Sequence, residues 1–454
     1  MLKRFFVAVW LWLKGAGIAV AKWFKNWFVK VDGKDIIPVR IGRWFKSLFV
    51  STNNQPPQLV VLYQKDGTKS VLSSLLCVGA GIAIGLILLI LVALFSKDLQ
   101  ANNVFRGFFI LISGVFYTGN AANMSVGFDA FQLGNYLTRV TPLILTGLSV
   151  AIAFKTGLFN IGAPGQYLMG TMASLLVAMS IPATTATAQF FVWLLALVVG
   201  VVAGMLWGCI PGAFKALLNV NEVIVCIMTN WIAGNIVTWV FSGSQFVNPK
   251  SPGFLYKTNH FGIQNPRLGM DLLFPGSWAD GGIVIAIVVA VMVWVMLNKT
   301  TFGFELKACG SNRHASKYAG MNDRRNIILS MAIAGGLSAL GGALYFMNGQ
   351  TEFQFSTTYQ TLPSVGFNGI PVALLASSHP LGVVFSAAYI AFLEVAGTKV
   401  SSFADYNEYI SDLIVAVIIY FAGFSKLIKD LLSTKRRKSK QVDAVQPTTQ
   451  SKEA

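Results

Sequence analysis

From Val71 onward the sequence alternates between long apolar runs and short polar interruptions. The runs are Val71–Phe95, Tyr136–Phe154, Ile161–Ile181, Phe190–Phe214, Val223–Phe241, Gly282–Leu297, Ile327–Met347, Leu381–Ala396 and Ile410–Phe424. Crossing about 30 Å of hydrocarbon takes a helix of roughly 20 apolar residues, and inside a bilayer only helices and closed barrels satisfy their own backbone. The run lengths fit helices, so the pattern predicts an all-α, polytopic integral membrane bundle. The stretch "GFNGIPVALLASS", Gly366 to Ser378, is shorter and interrupted by Gly and Pro; it is expected to be a tenth, broken span. "VFRGFFILISGVFY" is too short to span and is expected to be re-entrant or external. Composition agrees, with 54% hydrophobic and 12% charged residues and a mean hydropathy of +0.62.

Charge orients these spans. With the N-terminus in the cytoplasm, 28 of the 35 Lys and Arg fall on inner segments. That asymmetry favours both termini inside and an even number of spans, ten in all. The net charge of +17 is thereby explained by topology, and no soluble basic domain remains for nucleic acid. Residues 1–58 form a basic, aromatic extension. Lys3, Arg4, Lys14, Lys22 and Lys25 fall on one arc of a helix and Trp12, Trp23 and Trp27 on the other, the pattern of a helix lying on membrane lipids at the cytoplasmic face. The spans occupy 71–424, and 425–454 is a basic tail expected to be disordered in the cytoplasm.

The chemistry-bearing residues are sparse. There is no GxxxxGK[ST] loop and no strand–helix nucleotide domain, so no ATP or other cofactor is expected on this chain. Its four Cys lack CxxC spacing and its three His are dispersed, so no metal site is expected. Glu222 and Asp412 sit in first turns, where the helix dipole suits an acid. Glu394 alone lies deep in an apolar run, too little for a proton relay. No convergent catalytic set is present, and an enzyme is not expected. The alternative to a subunit of a larger transporter is a stand-alone secondary transporter or channel for a small polar solute.

Polar residues gather in a few places. On the fifth run Asn230, Trp231, Asn235 and Trp239 recur at helical spacing, suited either to lining a solute pathway or to bonding neighbouring helices and the interfacial belt. "AGGLSALGGA", Ala334 to Ala343, lets another helix approach closely. The loop Asn298 to Asn326 holds a short helix, with Asn312 as its cap and Gly320 as its close. "FNIGAPGQYLMG", Phe159 to Gly170, is expected to be an inner-face turn with Asn160 as N-cap and Pro164 in the first turn, and Gln166 is a candidate contact for solute or a partner subunit.

Four blocks in order, "TPLILTGLSVAIAFKTGLFNIGAPGQYLMG", "NEVIVCIMTNWIA", "TTFGFELKACGSNRHASKYAGMN" and "GFNGIPVALLASSHPLG", resemble the permease subunits of bacterial ABC importers for nucleosides and simple sugars, the branched-chain amino acid/ribose-type permeases, with the nucleoside branch nearest. The resemblance implies alternating access in the plasma membrane, driven by a separate ABC ATPase subunit that holds ATP and Mg. It also implies a second permease subunit, identical or different, and an extracytoplasmic solute-binding protein. By position it makes Gly310, Asn312, Arg313, His314, Lys317, Tyr318 and Gly320 the ATPase-coupling loop. Pro164, Arg313, Pro371 and Ala376 depart from the family's usual residues.

Overall fold

The computed structural model describes residues 66–96, 99–120, 123–424 and 427–428. The chain divides into Met1–Leu72 and Ser73–Ala454, and only 66–72 of the first unit are described. The interfacial helix expected in 1–58 lies outside the described residues, as does the tail 425–454 apart from Leu427 and Ile428.

The described residues are helical, without a regular strand and with isolated bridges only, such as Val247 to Leu255 and Phe254 to Gln354. In chain order the helices are α1 (Asp66–Phe95), α2 (Ala101–Ser113), α3 (Ala130–Lys155), α4 (Ala163–Ser180), α5 (Ala186–Leu218), α6 (Glu222–Phe241), α7 (Met270–Leu273), α8 (Gly282–Lys299), α9 (Thr301–Ser311), α10 (Arg313–Tyr318), α11 (Asp323–Phe346), α12 (Ser364–Leu375), α13 (Pro380–Phe403) and α14 (Glu408–Ala422). Each apolar run of the sequence falls on one of them. Seven, namely α1, α3, α5, α6, α8, α11 and α13, are long and apolar enough to cross a membrane. In α4, Gly, Thr, Ser and Gln dilute an otherwise apolar helix, while α12 and α14 are short. The chain is a polytopic helical membrane protein.

Burial separates centre from periphery. The apolar windows of α3 and α11 are 83% and 78% buried, against 22% for α1 and 33% for α5 and α8. Small residues explain the central place of α11. A Cβ on Gly335 would collide with the Gly204 carbonyl of α5, and one on Gly170 of α4 would collide with Ala339. Backbones meet there with at most a methyl group between them, which is the chemistry that joins helices where no hydrophobic effect operates. The weak run before α3 is α2, whose Ile110 and Leu111 are buried with Leu393 of α13 and Tyr406. Its end is fixed by Lys399, which donates to the carbonyls of Gly114 (3.1 Å), Val115 (3.2 Å) and Tyr117 (2.8 Å) and to Gln132 Oε1.

Two local expectations need correction. Asn160 is not the cap of α4: Gly162 occupies that place, and the Asn160 amide turns inward to other partners. Asp412 lies beyond the first turn of α14, because the helix begins at Glu408 behind Asn407, whose Oδ1 accepts the Tyr409 N–H at 3.0 Å.

Candidate functional site

The loop between α8 and α11 folds into two helices at the Lys155 end of the bundle. Asn312 breaks the helix with an extended backbone and accepts the Ala315 N–H at 3.0 Å, starting α10. Gly320, at φ +80°, ends it, and the Met321 N–H returns to the Ser316 carbonyl at 3.1 Å. Both boundaries are local cap chemistry. Arg313 does not project freely, since its Nε donates to Asp323 Oδ2 at 2.7 Å, tying α10 to the first residue of α11. His314, Lys317 and Tyr318 remain exposed, Tyr318 at 94%. Beside this tip a cleft of about 830 Å³ is lined by Lys299, Phe304, Glu305, Met321, Asn322 and Arg325.

Gly310 connects the loop to the rest of the molecule. A Cβ there would strike the carbonyl oxygen of Lys155, and Gly157, at φ +74°, faces Gly310 across the same contact. The loop therefore rests backbone on backbone against the turn that leaves α3.

From that turn the chain passes into the bundle before α4 begins. Asn160 donates to Ser149 Oγ at 3.0 Å and to Gln166 Oε1 at 2.8 Å, while Gln166 Nε2 donates back to Asn160 Oδ1 at 3.1 Å. Asn160 is 0% and Gln166 1% exposed. Asn230 of α6 joins the same turn, accepting the Gly165 N–H at 2.8 Å and donating to the Ile161 carbonyl at 2.9 Å. The structure thus brings Gln166 and Asn230 together around an irregular segment whose backbone groups need partners away from water. The remaining residues of the expected pathway lie elsewhere on α6. Asn235 donates to its own helix at Trp231 O, and Trp231 and Trp239 are 42% and 79% exposed.

At the opposite end lies a polar centre the sequence reading missed. Asp280, 8% exposed, accepts from Asn265 Nδ2 (2.7 Å), from Asn348 Nδ2 and from the Gly282 N–H (2.7 Å), while Asn265 Oδ1 accepts from Trp193 Nε1 at 2.9 Å. Burial pushes the Asp280 carboxyl above the usual aspartate range, against the pull of these donors. Its side-chain partners come from the loop before α7 and from the second residue after α11, and α5 adds Trp193 through Asn265; no local pattern reveals these separations. Among the described residues no group of His, Cys, Asp and Glu could hold a metal ion.

Residues 132–423 match the family described as Branched-chain amino acid transport system / permease component. The chain is 36% identical over 311 residues to the guanosine ABC transporter permease protein of Bacillus subtilis, covering 68% of this chain and 86% of that one. It is 34% identical to the nucleoside ABC transporter permease protein of Lactococcus lactis (67% and 82% covered) and 30% identical to the glucose ABC transporter permease protein of Haloferax volcanii (66% and 78% covered). No solved structure matches the chain. The matched residues run from the first turn of α3 through α14, including the short helix α10 and the buried turn, and the chain belongs to this permease family as a multi-pass transmembrane subunit of an ABC importer.

Proposed function

We propose that the solute imported is a nucleoside. The observation that supports this is the 36% and 34% identity to guanosine and nucleoside permeases over more than four-fifths of their lengths, above the 30% to a glucose permease. In this reading ten segments cross the membrane and both termini lie in the cytoplasm, which makes the Lys155 end the inner face. The exposed His314, Lys317 and Tyr318 of α10 then meet the ATPase subunit, which carries ATP and Mg. Arg313, Asn312, Gly310 and Gly320 hold that helix in place. A second permease chain completes the passage, and a solute-binding protein delivers solute at the outer face. Movement of α10 reaches α11 through Asp323 and α3 through Gly310, consistent with alternating access by rocking helices.

The test is uptake of labelled guanosine into vesicles holding the assembled importer. ATP-dependent uptake, with labelled glucose excluded, is expected. Uptake that persists without the ATPase subunit would sink this reading and favour a stand-alone transporter.

A further inference from the structure

Charged side chains inside a membrane span are costly unless they pair or face water. Glu394 lies on α13 about 21 Å from that helix's start at Pro380, at 1.5 Å per residue. Arg139 of α3 lies about 24 Å from Lys155 by the same rise. These starting points share one end of the bundle, because the charge of Lys155 acts on His379, next to Pro380. The two charges therefore stand at similar depth, and Glu394 feels the charges of Arg139 and Asp412.

Their partners differ. Glu394 Oε1 accepts from Asn368 Nδ2 of the broken helix α12 at 2.7 Å. Arg139 is exposed and makes no hydrogen bond or ion pair among the described residues. Nearby Lys399, by contrast, is spent on the end of α2. An exposed guanidinium about 24 Å from the Lys155 end of an otherwise buried span is costly against lipid tails and favours a polar or aqueous neighbour.

A polar row leads from this pair to the end of α13. Thr398 and Ser402 follow Glu394 at successive intervals of four residues, on one helix face, and both are exposed. Their hydroxyls donate to their own helix, Thr398 to the Val395 carbonyl at 2.9 Å and Ser402 to the Thr398 carbonyl at 2.8 Å. Back-bonded hydroxyls face lipid at little cost, whereas Glu394 and Arg139 do so only at a high one.

We propose that Glu394, Asn368 and Arg139 form a solute-recognition cluster on the wall of the translocation passage, reached from the far end of α13 along Thr398 and Ser402. The inference rests on the nucleoside reading and deepens it. Glu394 offers acceptor lone pairs, Asn368 keeps its carbonyl oxygen once its amide is committed to Glu394, and Arg139 offers a fork of donors. Opposed charges on the two walls suit an uncharged solute carrying both hydroxyl or ring N–H donors and carbonyl or ring-nitrogen acceptors. A nucleoside has both edges.

Two measurements on the assembled importer in vesicles test this. Thr398→Cys, read against the unmodified chain as background, should react with a membrane-impermeant thiol reagent from the outer face and be protected by saturating guanosine. Reaction only with a membrane-permeant reagent would place the row in lipid and overturn the proposal, as would reaction without protection. Glu394→Gln should raise KM for guanosine about tenfold or more, the loss expected for a charge-assisted hydrogen bond, with the melting midpoint retained and partial recovery in Glu394→Asp. An unchanged KM would also overturn it. If the unmodified importer moves no guanosine, the nucleoside assignment fails by itself, and the accessibility of Thr398→Cys to the impermeant reagent still decides whether this face lines an aqueous passage.

Discussion

At the scale of single residues, the contacts that matter most are those with no room for adjustment. Gly310 meets a backbone carbonyl, which cannot rotate away as a side chain would. Gly310→Ala should therefore push the loop between α8 and α11 off the α3 turn, at a stability cost of about 1–3 kcal/mol typical of overpacking. ATP-driven uptake should fall severely; normal uptake, measured beside the melting midpoint, would show that this contact transmits nothing. Asp280 gives a second prediction, set by its raised carboxyl pKa. The folded chain holds that proton to higher pH than the unfolded chain. Between the ordinary aspartate value and the raised one, the folded state therefore binds more protons, and stability falls as pH rises. The melting midpoint should decline as pH is raised from about 4, and Asp280→Asn should flatten that component. An identical pH slope in both proteins would refute the assignment.

Elements were legible in the sequence where their signals are local. Asn312 and Gly320 are read from cap preference alone, and both boundaries of α10 follow. The apolar runs likewise place every long helix, because bilayer thickness sets their length. What sequence spacing does not carry is the partner of a polar side chain. Asn230 reaches the backbone of Gly165 and Ile161 on another helix and turn, and Asp280 reaches Asn348. Amides at helical spacing look alike whether they line a passage or stitch one segment to another, and only the tertiary contact separates the two. The stitching has a measurable consequence. Asn160→Ala would strand the Gln166 amide in a site 1% exposed, and an unsatisfied buried polar group costs about 1–3 kcal/mol. A melting midpoint lowered by several degrees is expected for Asn160→Ala and for Gln166→Ala. The double variant should cost less than the sum of the two, because both partners of one pair are gone. Strict additivity would mean the pair is not a unit.

Across the described bundle, the arrangement joins the exposed helix α10 to one of the two most buried spans. Tyr318 is almost fully exposed, whereas α11, which begins five residues later at Asp323, is surrounded by α3, α4 and α5. Arg313 and Asp323 form the side-chain tie between them, with side chains 35% and 14% exposed. A partly exposed pair of this kind contributes little to stability, on the order of 1 kcal/mol or less. Its value lies in fixing where α10 stands on α11, so that a push on one displaces the other. Arg313→Asp and Asp323→Arg should each place like charges at the junction, loosening α10 and lowering uptake per ATP hydrolysed several-fold while the melting midpoint moves little. Combining the two restores an opposite pair with its polarity reversed. If the junction acts as a mechanical tie, the double variant should recover coupling that neither single variant has. If Arg313 instead contacts the ATPase directly, the double variant should stay uncoupled, because the partner would still meet an aspartate where it needs an arginine. Uptake and hydrolysis measured side by side in one vesicle preparation separate these two roles.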